Sequence, residues 1–315
     1  MAAKGSKTVI YASLAGNLLI SLTKFAAAGI SGSSAMVSEG VHSLVDTGNQ
    51  MLLLYGMKQA ARPATPDHPF GHGLKLYFWA FVVAILIFGL GAGVSIYQGI
   101  DKIRTPHPIE NAWINYVVLI LGLLFEGSVW IIALRAFRKE KGEGGWLEAV
   151  HDSKDPTVFT VLFEDSAAML GLIAALLGIF LSERLDMPVL DGVASVVIGL
   201  ILAVTAAFLA FECQSLLTGE GVAPKVRASI REIAVAGGGV ERVNELLTMH
   251  FSPHDVLVAL SLDFQDRRSA AEVEQTVSAM ERSIKATHPE VTRVFIEAQS
   301  FEAHRCDAED EVGPG

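Results

Sequence analysis

The sequence predicts an all-α domain of six transmembrane helices followed by a small α+β domain. Three observations predict it. The 315 residues are 51% hydrophobic and only 18% charged, with mean hydropathy +0.43, whereas soluble chains usually carry about a quarter charged residues. Six apolar stretches approach the ~20 residues that a spanning helix needs. After Leu217 the pattern changes to that of a soluble domain.

The first span covers 8–30. The leading MAAKGSKTVIYA has no small-residue cleavage site, and its apolar stretch continues past Phe25, so it reads as a membrane helix rather than a removed signal. After the short turn SGSS the second span covers 34–58. The third, 76–100, ends near Asp101 and Lys102, and its GLGAG run (Gly89, Gly91, Gly93) favours close helix packing. The fourth, 113–136, opens with the interfacial pair Trp113 and Tyr116. The fifth and sixth cover 157–181 and 188–212, joined by SERLDMP, with Asp191 as an interfacial charge at the start of a helix.

The loops after spans two and four are basic. One carries Lys58, Arg62 and Lys75; the other carries Arg135, Arg138, Lys139, Lys141 and Lys154. Lys4 and Lys7 precede the first span. The positive-inside rule therefore places both termini in the cytoplasm, despite Lys102, Arg104 and Arg184 on the other side. The membrane expected is the plasma (inner) membrane. The domains are then 8–217 in the bilayer and 218–303 in the cytoplasm, with a disordered acidic tail at 304–315 holding Asp307, Glu309, Asp310 and Glu311.

In the soluble part, Pro224 suits the first turn of a helix reaching about Ala236, and Gly237 to Gly239 end it. VERVNELLTMHF and HDVLVALSLDF read as strands; in the second, Val256, Val258, Leu260, Leu262 and Phe264 alternate as in a half-buried strand. Ser269 and Glu272 form a capping box for a helix that Pro289 stops, and VTRVFIEAQSF is a last strand. The order is α-β-β-α-β.

A net charge of −10 argues against nucleic acid as a partner. Cys213 and Cys306 form neither a disulfide framework nor a CxxC motif. HExxH, GxSxG and paired-aspartate motifs are absent, which argues against an enzyme.

The chemistry lies in the second span. Glu39, His42, Asp46 and Asn49 follow at spacings of 3, 4 and 3, which places them on one helical stripe. An ionisable residue at bilayer depth costs roughly 2.5–3.5 kcal/mol on insertion scales, so such a stripe is a functional candidate. Asp46 lies ~18 Å into its span, near the midplane, and Glu164 and Asp165 lie ~12 Å into the fifth, so the two sets can meet at one depth. Glu164 and Asp165 differ by about 100° around their helix, so at most one is expected to point straight at His42 and Asp46. One His with two or three carboxylates suits Zn2+, and the oxygen-rich set also accepts Mn2+, Fe2+ or Co2+. Neutral imidazole and ionised carboxylates bind metal, so protons and metal compete for the same groups.

Other polar residues are candidates of lower rank. Asn49 is an outer contributor, and Glu39 is expected to line the outward path. Glu126 in span four either joins the site, relays protons, or pairs with Lys24 or a hydroxyl. Lys24 and Asn17 read as packing and charge-balance residues. In the loop TPDHPFGHGLK, Asp67, His68 and His72 read either as a second metal site or as a turn stiffened by Pro66 and Pro69.

SGSSAMVSEGVHSLVDTGNQ, PDHPFGHGLKLYFWA and LDGVASVVIGLIL together resemble motifs of the cation diffusion facilitator family, over about residues 8 to 301. The resemblance implies a homodimeric six-span divalent-metal/proton antiporter with a cytoplasmic ferredoxin-like domain. It implies transported metal, Zn2+ first, at His42, Asp46 and Asp165. This chain departs from the family pattern at Val161, where the family has His or Asp; Glu164 would supply the missing oxygen, which resembles the branch with the mitochondrial-type zinc transporter. Thr65 stands where the loop motif has Asp. Asn244 and Ser261 stand at strand positions where several members bind metal, with His250, His254 and Glu297 nearby, so the soluble domain reads as a dimerisation module. The expected function is export of a divalent cation from the cytoplasm in exchange for protons. The alternative is a membrane-anchored metal sensor signalling through the soluble domain.

Overall fold

The computed structural model describes residues 2–109, 111–141 and 156–311. It divides into two compact units, Met1–Gln59 with Lys75–Gln214, and Ala60–Leu74 with Ser215–Gly315. Lys154 and the rest of the 142–155 stretch lie outside the described residues, as do residues 312–315.

The first unit is helical. It contains α1 (Ala2–Ser31), α2 (Ser34–Ala60), α3 (Leu74–Leu86), a π segment (Ile87–Ala92), α4 (Gly93–Arg104), α5 (Ala112–Lys141), α6 (Pro156–Arg184) and α7 (Val189–Leu217). Among the described residues, four stretches are long and apolar enough to cross a membrane: Leu74–Arg104, Ala112–Ile131, Phe159–Arg184 and Val189–Leu217. The described side chains of α1, Asn17–Ser31, form a shorter apolar helix. Large apolar side chains stay on the outside, Val204 at 71% and Leu121 at 60% exposure, as hydrocarbon rather than water would favour.

Two sequence expectations are corrected in this unit. Of the three GLGAG glycines only Gly91 packs against another helix, where a Cβ would lie 3.3 Å from Leu202 Cδ1; Gly89 and Gly93 make no close helix contact, and all three fall in or beside the π segment that interrupts the third apolar stretch. Closer packing occurs further on. A Cβ on Gly99 of α4 would lie 2.6 Å from the Gly192 carbonyl oxygen of α7, so these two backbones approach as only glycine allows. Asp191 is not an interfacial charge but is fully buried. Its carboxylate accepts the backbone N–H of Ser34 at 2.7 Å and the hydroxyls of Ser33 at 2.6 Å and Ser34 at 3.0 Å. Asp191 thus supplies, from another helix, the acceptor that open N–H groups at the start of α2 require. Lys102 lies 3.9 Å from the same carboxylate and donates to the Gly32 carbonyl at 2.8 Å. The sequence placed this Asp and Lys at span ends; their convergence on the SGSS turn is tertiary.

The second unit contains the loop 60–74, α8 (Pro224–Val235), β1 (Val240–Ser252), β2 (Asp255–Phe264), α9 (Ala270–Thr287), β3 (Val291–Ala298) and α10 (Phe301–Glu311). The sheet has the order β1-β2-β3, with β1 and β2 antiparallel and β2 and β3 parallel. α9 is the crossover that a parallel pair requires. This is the β-α-β-β-α-β pattern without its first strand among the described residues. Val256, Val258, Leu260 and Leu262 of β2 are buried at alternate positions against Ile230, Ala234, Met280 and Ile284 of the two helices, with Phe264 partly buried at the edge. The Ser269–Glu272 capping box is present, and α9 ends at His288, before Pro289.

The tail departs from expectation. Residues 304–311 continue α10 as helix rather than disordered chain. The start of α10 is fixed: the Phe301 N–H donates to Asp263 at 3.0 Å, the Ala303 N–H donates to the Ser300 hydroxyl at 3.3 Å, and Arg242 lies 4.0 Å over the Phe301 ring. Acidic composition marked this stretch as solvated, but a capped, anchored first turn nucleates helix even ahead of an acidic run.

Candidate metal site between helices α2 and α6

The first unit encloses a cavity of about 120 Å³ bounded by four helices. α2 contributes Ser43, Asp46 and Gln50, which share one face at spacings of three and four. α6 contributes Val161, Glu164 and Asp165; α5 contributes Glu126; α1 contributes Asn17. Glu164 and Asp165 both line the cavity. The cavity is wide enough to straddle their angular separation, and the longer glutamate reaches Asn49 at its margin.

The predicted ligands hold one another in place. His42 is buried, with Nδ1 3.2 Å from Asp46 Oδ1. Asn49, also buried, donates from its side-chain amide to Glu164 Oε1. Glu126 accepts from the Lys24 ammonium at 3.0 Å, the pairing that was one of its sequence alternatives. Glu39 does not line the cavity; it is fully buried in an ion pair with Lys24 at 3.0 Å. An intramembrane carboxylate with a cation within reach pairs with it rather than facing an aqueous path.

Among the described residues, no three His, Cys, Asp or Glu side chains stand close enough together to share a metal ion. Of the carboxylates that line the cavity, Glu164 accepts from Asn49 and Glu126 from Lys24. Several polar atoms are nevertheless buried without a hydrogen-bond partner: His42 Nε2, Asn49 Oδ1, Glu126 Oε2 and Asp165 Oδ2. Buried polar atoms are normally satisfied, and a concentration of acceptors around one cavity matches the needs of a cation.

The loop candidates are placed differently. Asp67 and His68 are exposed and His72 is buried. Thr65 and His68 exchange backbone hydrogen bonds at 3.0 and 3.1 Å, which closes a tight turn. The His68 and His72 rings stack with centroids 4.3 Å apart. In the sheet, Asn244 donates to the Gln299 carbonyl at 2.8 Å and to Ser261 at 3.4 Å, while His250 Nδ1 lies 3.3 Å from the Ser252 carbonyl oxygen. Glu297 is exposed.

Sequence reasoning missed Ser43 and Gln50, which lie on the same stripe as Asp46, and that periodicity could have found them. Lys24, read from the sequence as a charge-balance residue, pairs with both Glu39 and Glu126.

Among the described residues, the helical unit thus combines four membrane-length apolar stretches with a carboxylate-lined internal cavity. The family described as the cation efflux transmembrane domain matches residues 10–218, and the chain belongs to that family, a family of transporters rather than enzymes. It is 32% identical over 266 residues to the mitochondrial proton-coupled zinc antiporter of Xenopus laevis, covering 84% of this chain and 48% of that protein. Against its Mus musculus counterpart it is 29% identical over 298 residues, covering 93% of this chain and 53% of that one. The cation-efflux pump FieF of Shewanella oneidensis is 26% identical over 167 residues, covering 53% and 54%. The chain spans about half the length of these curated relatives.

Proposed function

We propose that this protein is a secondary transporter that moves divalent metal cations, Zn2+ first, out of the cytoplasm in exchange for protons. The observation that carries the reading is the cavity between α2 and α6, which Asp46, Glu164 and Asp165 line, with His42 paired to Asp46. Relatives that are named zinc antiporters and a cation-efflux pump support it. In this reading His42, Asp46, Glu164 and Asp165 bind the cation, and Glu164 replaces the ligand missing at Val161. Asn49 aims Glu164 from behind.

The residues dictate the chemistry. A divalent ion draws the carboxylates inward from their present partners and offsets their mutual repulsion. On the other side of the membrane, protons compete for the same oxygens and the imidazole, and binding them releases the ion. Either loaded state crosses more readily than a bare cluster of buried negative charge.

We infer six spans, α1 and α2 completing the set. α2 falls short of the apolar threshold because its interior carries Glu39, His42, Asp46 and Asn49, the polar groups that make the site. Both termini are then cytoplasmic. The soluble unit supports a homodimer: Leu247, Ala259 and Phe295 form one cross-strand row, and Leu247 and Phe295 are 54% and 57% exposed. An exposed apolar row of this kind marks an interaction surface.

The test is transport in proteoliposomes. Asp46→Ala and Asp165→Ala should each abolish metal-driven proton flux; wild-type rates in both variants overturn the reading.

A further inference from the structure

Beside the cavity lies a buried cation that the transport reading leaves unused. Lys24 is fully buried, and its ammonium has three donors. Each finds an acceptor: Glu39 Oε2 at 3.0 Å, Ser43 Oγ at 2.8 Å and Glu126 Oε1 at 3.0 Å. The two carboxylates differ. Glu39 is wedged against α6, where a Cβ on Gly171 would come within 2.5 Å of Glu39 Oε1, and it does not line the cavity. Glu126 does line it, with Oε1 held by Lys24 and Oε2 buried without a hydrogen-bond partner.

We propose that Lys24 is a positioning residue that sets cation selectivity by withholding Glu126 from the transported ion. The proposal rests on the cavity being the cation site. Zinc is satisfied by four ligands in a tetrahedron, which one imidazole and three carboxylates supply. Manganese favours more oxygen ligands, up to six. A fourth carboxylate reaching the ion would enlarge the oxygen set and improve the site for manganese more than for zinc. Lys24 competes with the ion for that carboxylate, and because it is covalently tethered it is always present. The ion that gains most from an extra oxygen therefore loses most.

The test replaces the cation together with its cavity-remote partner. Lys24→Met with Glu39→Gln removes one positive and one negative charge, so the charge around the cavity is unchanged while Glu126 is released. Zn2+ and Mn2+ binding to the detergent-solubilised full chain is measured by calorimetry, and uptake of each ion into proteoliposomes is measured alongside. The Mn2+-to-Zn2+ preference should rise about tenfold in the double variant, from the added oxygen ligand, and return to the wild-type value when Glu126→Gln is added. A purely structural role would lower both ions equally. A preference within about twofold of wild type, or a shift that survives Glu126→Gln, overturns the proposal. Lys24→Gln with Glu39→Gln keeps hydrogen-bonding groups in place and repeats the measurement if the methionine variant does not fold. Asp46→Ala separates the two readings. If it abolishes binding while the charge-balanced variant keeps the wild-type preference, only the role of Lys24 fails; if it binds both ions normally, the cavity reading itself fails.

Discussion

The side-chain amide of Asn49 donates to Oε1 of Glu164, joining the polar stripe of α2 to the carboxylate on α6 that stands three residues after Val161. Both side chains are buried, so this bond fixes where Glu164 points. An intramolecular hydrogen bond contributes about 0.5–1.5 kcal/mol, so Asn49→Ala should weaken Zn2+ binding about two- to tenfold. Calorimetry on the solubilised protein measures it. An unchanged affinity would mean that Glu164 needs no orientation from α2.

Val161 faces the same cavity four residues before Asp165. An imidazole introduced there adds a nitrogen donor to an oxygen-rich set, which favours zinc. Val161→His should therefore raise Zn2+ affinity and make Glu164 dispensable. The expected result is that Glu164→Gln loses transport in the wild-type background but keeps at least about half of it when combined with Val161→His, because the fourth zinc ligand has been supplied from elsewhere. Equal losses in both backgrounds would show that Glu164 does something other than fill the missing place.

In the soluble unit, the capping box has a signature in pH. Glu272 is held below the ordinary carboxylate value of 4.5, first by the Ser269 backbone N–H, then by the Ser269 hydroxyl and by Arg268. A carboxyl with a depressed folded pKa stabilises above its unfolded value, and that contribution is lost as pH falls through the folded value. Glu272→Gln should thus lower the melting temperature of the soluble-domain transition near neutral pH, and the gap to wild type should close well below pH 4.5. A gap that persists unchanged into acid would assign the stabilisation to packing instead.

Short-range periodicity carried the part of the protein that was legible in the sequence. The α2 stripe, the alternation along β2 and the Ser269–Glu272 box are all set within a few residues, and each appears where its spacing places it. The broken third helix was not legible, because GLGAG is equally suited to close packing and to a widened turn. Lys24 was legible as one possible partner of Glu126, but its second carboxylate, Glu39, and the partners of Asp191 were not. Each lies 15 or more residues away and is chosen by which helices become neighbours. The same limit applies to the candidate site: periodicity grouped the α2 residues and depth selected Glu164 and Asp165, whereas the donors that Glu126 and Glu164 now hold came from the packing.

The Asp191 contact with the SGSS turn bears on how the chain is assembled. Ser34 and Asp191 are 157 positions apart, so the α1–α2 hairpin emerges from the ribosome long before its cap exists. At ~5–20 residues per second, synthesis leaves that hairpin roughly 8 to 30 seconds with open N–H groups at its apex. The last span then acts as a keystone. Until α7 is in place the hairpin that bears half of the site has an unfinished end, and the arrival of one carboxylate closes the first turn of the bundle and the last at the same moment.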